Sequence, residues 1–229
     1  MIDLVPGALT GMLFGVSHAV EPDHLAAVST IVTEQRGAWR GALVGASWGL
    51  GHTVSLLAVG AVLAGVEATL PPLAEQLFEL LVAAMLIGLG ARGLRRAYML
   101  GRVGPAVTHS HGGVAHEHAA GGAHIHVGRW TLARRPFFVG LVHGLAGSGS
   151  LTALVLAGLP TVGARLGYIA LFGVGSMVGM AALSGLVGWP LARASQSPRT
   201  VRWLSGTAGA VSAGLGVYWA SPLLAAWLS

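Results

Sequence analysis

The sequence predicts an all-α membrane protein, a bundle of about six transmembrane helices. Three observations carry that expectation. The 229 residues are 54% hydrophobic and only 9% charged, where a soluble domain carries about 25% charged residues. Six apolar stretches can be marked, and at about 20 residues per span they account for most of the chain. The basic residues, all arginine, sit almost entirely between those stretches and on one side of them.

The same composition excludes other classes. The 36 glycines and 10 prolines are scattered through apolar runs, which fits neither collagen nor a linker, and the low charge excludes disorder. With no cysteine there is no disulfide, thiolate metal site or cysteine nucleophile. The formal charge of +5 is not read as a nucleic-acid signal, because the arginines lie in short loops. The N-terminal MIDLVPG lacks a basic stretch, and the first apolar run carries acids and histidines. It is expected to be a working span rather than a cleaved signal peptide.

The segments are Val5–Val32, Ala38–Gly65, Leu73–Leu94, Phe137–Leu159, Leu166–Leu191 and Trp203–Leu228. The first, third and fifth connections and their flanks hold 12 of the 13 arginines; only Arg165 lies on the other side. By the positive-inside rule those connections are cytoplasmic and both termini face outward across the cell's inner membrane. Asp3, Glu67, Glu75 and Glu79 fall on the outer face, where simple charge asymmetry is the preferred reading over cation gathering.

Three matches run in order at nearly one offset. Phe14–His18 resembles Val139–His143 at 125 residues, Gly49–His52 resembles Gly173–Ser176 at 124, and Gly88–Gly90 resembles Gly214–Gly216 at 126. A unit of three spans reverses direction when repeated, so a 3+3 inverted repeat is expected, as in secondary transporters with a midplane substrate site. The domains are then residues 1–100, a first three-helix repeat; 101–135, a cytoplasmic His-rich loop; and 136–229, a second three-helix repeat.

The first span places His18, Glu21, Asp23 and His24 inside an apolar run. Each acid costs about 3 kcal/mol at the bilayer centre, so such groups persist where they are paired, line water or bind a cation. A purely structural hydrogen-bond network is the alternative, but four ionisable groups in seven residues favour a functional site. On an unbroken helix His18 and His24 would lie about 240° apart and face no common ion. Pro22, between them, cannot donate the backbone bond to the His18 carbonyl. A helix break there would redirect Asp23 and His24 and free carbonyls as further ligands. In the second span, His52 follows Gly45, Gly49 and Gly51, a smooth face for close helix approach. Alone, His52 is as readily structural as a ligand. In the fourth span, His143 is the repeat partner of His18, yet Ser148 and Gly149 stand where Asp23 and His24 would recur. His143 is therefore the less certain ligand.

Imidazole and carboxylate without thiolate suit Ni²⁺, Co²⁺, Zn²⁺, Cu²⁺ or Fe²⁺, and ligand type does not choose among them. The loop adds three His-x-His pairs, His109/His111, His116/His118 and His124/His126, read as weak metal capture over a biased tract without a role.

His18-Ala-Val-Glu-Pro-Asp23-His24 fits the H-x4-D-H signature of the nickel/cobalt permease family. The following Trp48-Gly49-Leu50-Gly51-His52-Thr53 resembles that family's next motif. With HGLAGSGSL in the fourth span, the chain is most similar to the short members associated with urease operons. The resemblance implies a permease moving Ni²⁺ or Co²⁺ as its substrate, with no permanent cofactor. It makes His18, Asp23 and His24 essential, with His52 as a further ligand; the residues themselves add Glu21, to tune charge or carry a proton, and His143 as additional transport-site candidates. The EPDH form and the short length lean towards uptake for enzymes such as urease, with efflux as the alternative. Its partners are the metal ion, the bilayer and a cytoplasmic nickel chaperone, with no nucleic acid. The chain holds no G-x-x-x-x-G-K-[ST] loop, so no nucleotide-driven step is expected. Readings from another class are an intramembrane metal-dependent hydrolase, which no H-E-x-x-H supports, and a metal sensor.

Overall fold

Proline and polar residues set where the helices begin. A computed structural model describes residues 4–32, 37–66, 69–102, 107–111, 114–118, 129–146, 158–194 and 197–228. Its helices are α1 (Leu4–His18), α2 (Pro22–Val32), α3 (Ala38–Val66), α4 (Pro72–Arg102), α5 (Arg129–Ala146), α6 (Val162–Ala194) and α7 (Pro198–Leu228). Pro22, Pro72 and Pro198 each open a helix, where a missing N–H costs nothing and the fixed φ is already helical. Thr161 caps α6, its hydroxyl accepting from the Ala164 N–H at 3.2 Å. Gly37, at φ 113°, turns the chain into α3 in a conformation other residues rarely adopt.

Among the described residues four helices, α3, α4, α6 and α7, are long and apolar enough to cross a membrane. At 1.5 Å per residue the 29 residues of α3 span about 44 Å, against a hydrocarbon core of about 30 Å. The first apolar run is not one helix but two, of 15 and 11 residues. The fourth is α5, which starts at Arg129 rather than Phe137 and is described to Ala146; Ser148 and Gly149 lie outside the described residues. Helix α4 continues past Leu94 to Arg102, because Arg, Ala, Leu and Met sustain a helix beyond the apolar limit.

The 101–135 segment is not wholly loop. Besides the ends of α4 and α5 it holds an antiparallel pair, β1 (Val107–His111) and β2 (Val114–His118), an exception to the all-α expectation. The backbone register sets His109 opposite His116. His124 and His126 lie outside the described residues.

The main helix contacts are α3 with α6, α4 with α7, α3 with α5 and α1 with α6. They are close because small residues meet backbone. Gly41, Gly45 and Gly49, one turn apart on α3, lie against Ser184, Met180 and Met177 of α6. A Cβ on Gly15 would meet the Phe172 carbonyl, and one on Gly140 the Trp48 carbonyl. These contacts draw α1, α5 and α6 around the middle of α3. Leu13, Phe14, Leu186 and Val211 remain exposed, the outer surface of a protein that faces lipid. Trp39 and Trp203 are exposed at the arginine-bearing helix ends, as interfacial aromatics are.

Candidate metal centre

The break between α1 and α2 builds the centre. After His18 the chain turns through Ala19–Glu21, with Glu21 N–H donating to the His18 carbonyl at 3.1 Å. Pro22 then restarts the helix, and Leu25 N–H donates to the Glu21 carbonyl at 2.9 Å. The redirection brings the His18 and His24 rings to a centroid separation of 4.4 Å. His52, from α3, lies 5.1 Å from the His18 ring and 5.5 Å from the His24 ring. His143, from α5, lies 4.1 Å from the His24 ring. His24 and His52 are 0% exposed, His143 2% and Asp23 6%.

Two carboxylates orient three of the imidazoles. The His18 Nδ1–H donates to Glu21 Oε1 at 2.7 Å, and the His24 Nδ1–H donates to Asp23 Oδ1 at 3.1 Å. The His143 Nε2–H donates to Asp23 Oδ2 at 2.7 Å. A carboxylate only accepts, so each bonded nitrogen carries the proton and the other nitrogen of the neutral ring bears a lone pair. Five buried ring nitrogens have no hydrogen-bond partner: Nε2 of His18 and His24, Nδ1 of His143, and both of His52. Each buried polar atom left unpaired costs about 1–3 kcal/mol, a cost that a cation bound among the lone pairs would offset. Carboxylates behind imidazoles are the usual outer support of metal-binding histidines.

Ligand atoms of His18, His24 and His52 all lie within 4.8 Å of one another, as do those of Asp23, His24 and His143. The two triads share His24. Asp23 therefore has two possible parts, as a ligand in one triad and as the orienting partner of His24 beside the other.

The structure thus brings together His18, Glu21, Asp23, His24, His52 and His143, with Pro22 at the helix restart. His143, the less certain ligand from the sequence, is buried like His24, His52 and Asp23 and bonds Asp23 directly. Two neighbours were not assigned a part. Trp48 stacks on His24 at 5.3 Å and 22°, and Phe172 lies 5.3 Å from the His18 ring. A signal for them was present: Trp48 and Phe172 are 124 residues apart, the spacing of the second repeat match.

If the break sets the ring geometry and the cluster holds a divalent cation such as Ni²⁺, Pro22→Ala should weaken its binding although His18, Asp23, His24 and His52 all remain. The alanine N–H allows α1 to run on as a regular helix and turn His24 away from His18. Titration of purified protein reads the result; unchanged affinity would show that the break is not what gathers the rings.

Helices of this length, an apolar exterior and imidazoles buried at a helix break define an α-helical membrane protein with a buried polar centre. In sequence the chain is similar to the urease accessory protein UreH of Bacillus sp. (strain TB-90). The two are 29% identical over 224 residues, covering 95% of this chain and 92% of that protein. It is also similar to the chloroplast protein FOR GROWTH AND FERTILITY 2 of Arabidopsis thaliana, 25% identical over 218 residues, which are 94% of this chain and 56% of that one. No family model and no solved structure matches the chain.

Proposed function

We propose that the protein is a permease that takes up Ni²⁺, with Co²⁺ as a second cargo, for nickel enzymes such as urease. The observation that carries the reading is the meeting of His18, His24 and His52, which each offer a ring nitrogen within 4.8 Å of the others and each keep a buried nitrogen without a hydrogen-bond partner. A neutral all-imidazole set suits a borderline divalent metal. Asp23 supplies the nearby negative charge. The similarity to a protein named for urease supports nickel as the cargo. The protein is a transporter rather than an enzyme in this reading, and a cytoplasmic nickel chaperone is its downstream partner.

The two halves act as a 3+3 inverted repeat of six spans, with α1 and α2 together as the first and α5 opening the fourth. Packing supports this. Gly15 meets Phe172 while Gly140 meets Trp48. Gly51 meets Phe137 while Gly175 meets Met12. Gly90 meets Gly209 and Ala213 while Gly216 meets Ala83 and Ile87. Each contact becomes its partner when residue numbers are exchanged by an offset of 124 to 126. Such symmetry gives two related arrangements about one midplane site, the basis of alternating access. Both termini face outward and the His-rich segment, with His109, His111, His116, His118, His124 and His126, gathers metal on the cytoplasmic side.

The test is flux. Purified protein in liposomes should carry radioactive Ni²⁺ down its gradient, and cells expressing it should accumulate the ion. Flux in liposomes with net loss from cells would replace uptake by efflux. Metal binding without flux would replace the permease by a sensor.

A further inference from the structure

A cavity of about 550 Å³ adjoins the centre. His18, Asp23 and His143 form its inner wall; Glu21, Glu79 and Tyr218 are among the residues lining the rest. It is open, since the Glu21 side chain keeps 51% of its exposure. Its direction follows from the helices. Glu79 is seven residues from the Pro72 start of α4, about 10 Å along the axis. Tyr218 lies towards the Leu228 end of α7. Both helix ends are on the face opposite the arginines. Beyond the cavity, Trp227 Nε1–H donates to Gln76 Oε1 at 2.9 Å and ties those ends together. His24 and His52 do not line the cavity; they lie behind the wall formed by the other ligands.

We infer that this cavity is the access path for the divalent cation, and that Glu79 is the carboxylate that draws the ion in from the face opposite the arginines. The inference rests on the permease reading and adds a residue to it. Surface acids alone would not mark a path. Here Glu79 shares one cavity with Asp23 and with His143, a 98%-buried ring whose Nδ1 has no partner. A cation leaving water for an apolar bundle loses hydration; carboxylates along the route replace part of it and raise the local ion concentration. Low-dielectric walls of one charge raise on-rates by about 10–10³-fold. The order is then Glu79, next Glu21 with His18, Asp23 and His143 on the cavity wall, and last His24 and His52 behind it.

Glu79→Gln and Glu79→Asp, in the full chain, separate this role from a structural one. Radioactive Ni²⁺ uptake into liposomes is measured against Ni²⁺ supplied from the face opposite the arginines. In low salt, Glu79→Gln should raise KM about tenfold, with the loss confined to KM, while Glu79→Asp stays near wild type. In about 1 M salt, where the screening length is about 3 Å, the difference should vanish. Equilibrium Ni²⁺ affinity of the purified variant should match wild type. An unchanged KM in low salt would overturn the access role, as would an effect seen only with ion supplied from the other face. Loss of equilibrium affinity would also overturn it, making Glu79 part of the centre. Absence of flux in the wild-type protein would instead remove the permease reading itself.

Discussion

Asp23→Asn should abolish Ni²⁺ flux while leaving the protein inserted and folded. The carboxylate accepts from His24 with one oxygen and from His143 with the other. An asparagine keeps one acceptor and turns an NH₂ donor toward the second ring, so one imidazole must change tautomer or lose its partner. Either change misdirects a lone pair that the triads need. Loss of such outer support costs about 10–100-fold in metal affinity, and Asp23 is in addition a potential ligand. Neutralising a midplane acid lowers the cost of insertion, so abundance should not fall. Ni²⁺ titration and uptake, measured beside membrane levels, check both halves of this expectation. Normal flux would return the whole cluster to a structural network.

The second large effect falls on the scaffold. Gly140→Val should prevent assembly of a monodisperse protein. The valine Cβ would overlap the Trp48 carbonyl, a backbone atom that no rotamer can move aside. Overpacking in a close-packed interior costs about 1–3 kcal/mol even where side chains can yield, and here the helices themselves must part. Gly15→Val makes the equivalent contact with Phe172 and should fail in the same way. Gly214→Ala, where nothing lies within 4 Å, is the control and should be neutral. Size-exclusion profiles in detergent distinguish the three. A monodisperse Gly140→Val protein would show that the α3–α5 crossing is looser than described.

The membrane class was legible because it depends on bulk properties, charge content and run length, which tertiary packing does not reverse. The position of the break was legible because Pro22 cannot take the backbone bond that joining α1 to α2 requires. The part played by His143 was not. Its motif in the second half is incomplete, and the sequence offered no measure of how close α5 comes to α2. That distance is set by Gly51 and Gly140, whose missing side chains let α5 reach the backbone of α3. Trp48 entered only as part of a resembled motif and Phe172 not at all, because ring contact with a histidine of the centre depends on the helix crossing. The strand pair in the His-rich segment was missed for another reason. The strands VTHSH and VAHEH carry few apolar residues and no alternating apolar pattern, and pairing there rests on the backbone register.

Asp23 joins one ring from its own half and one from the other. In the proposed permease, metal occupancy and the relative placement of the halves would therefore be a single linked equilibrium. A rocking motion that separated α2 from α5 would break the Asp23–His143 bond and alter the electron donation felt at His24. Affinity must then differ between the two arrangements, and by reciprocity the bound ion biases the rocking by the same free energy. Each tenfold difference in affinity corresponds to about 1.4 kcal/mol of bias. On that reading one shared carboxylate would act as an interlock: the cargo would be gripped in one posture and loosened in the other, without a separate gate at the centre.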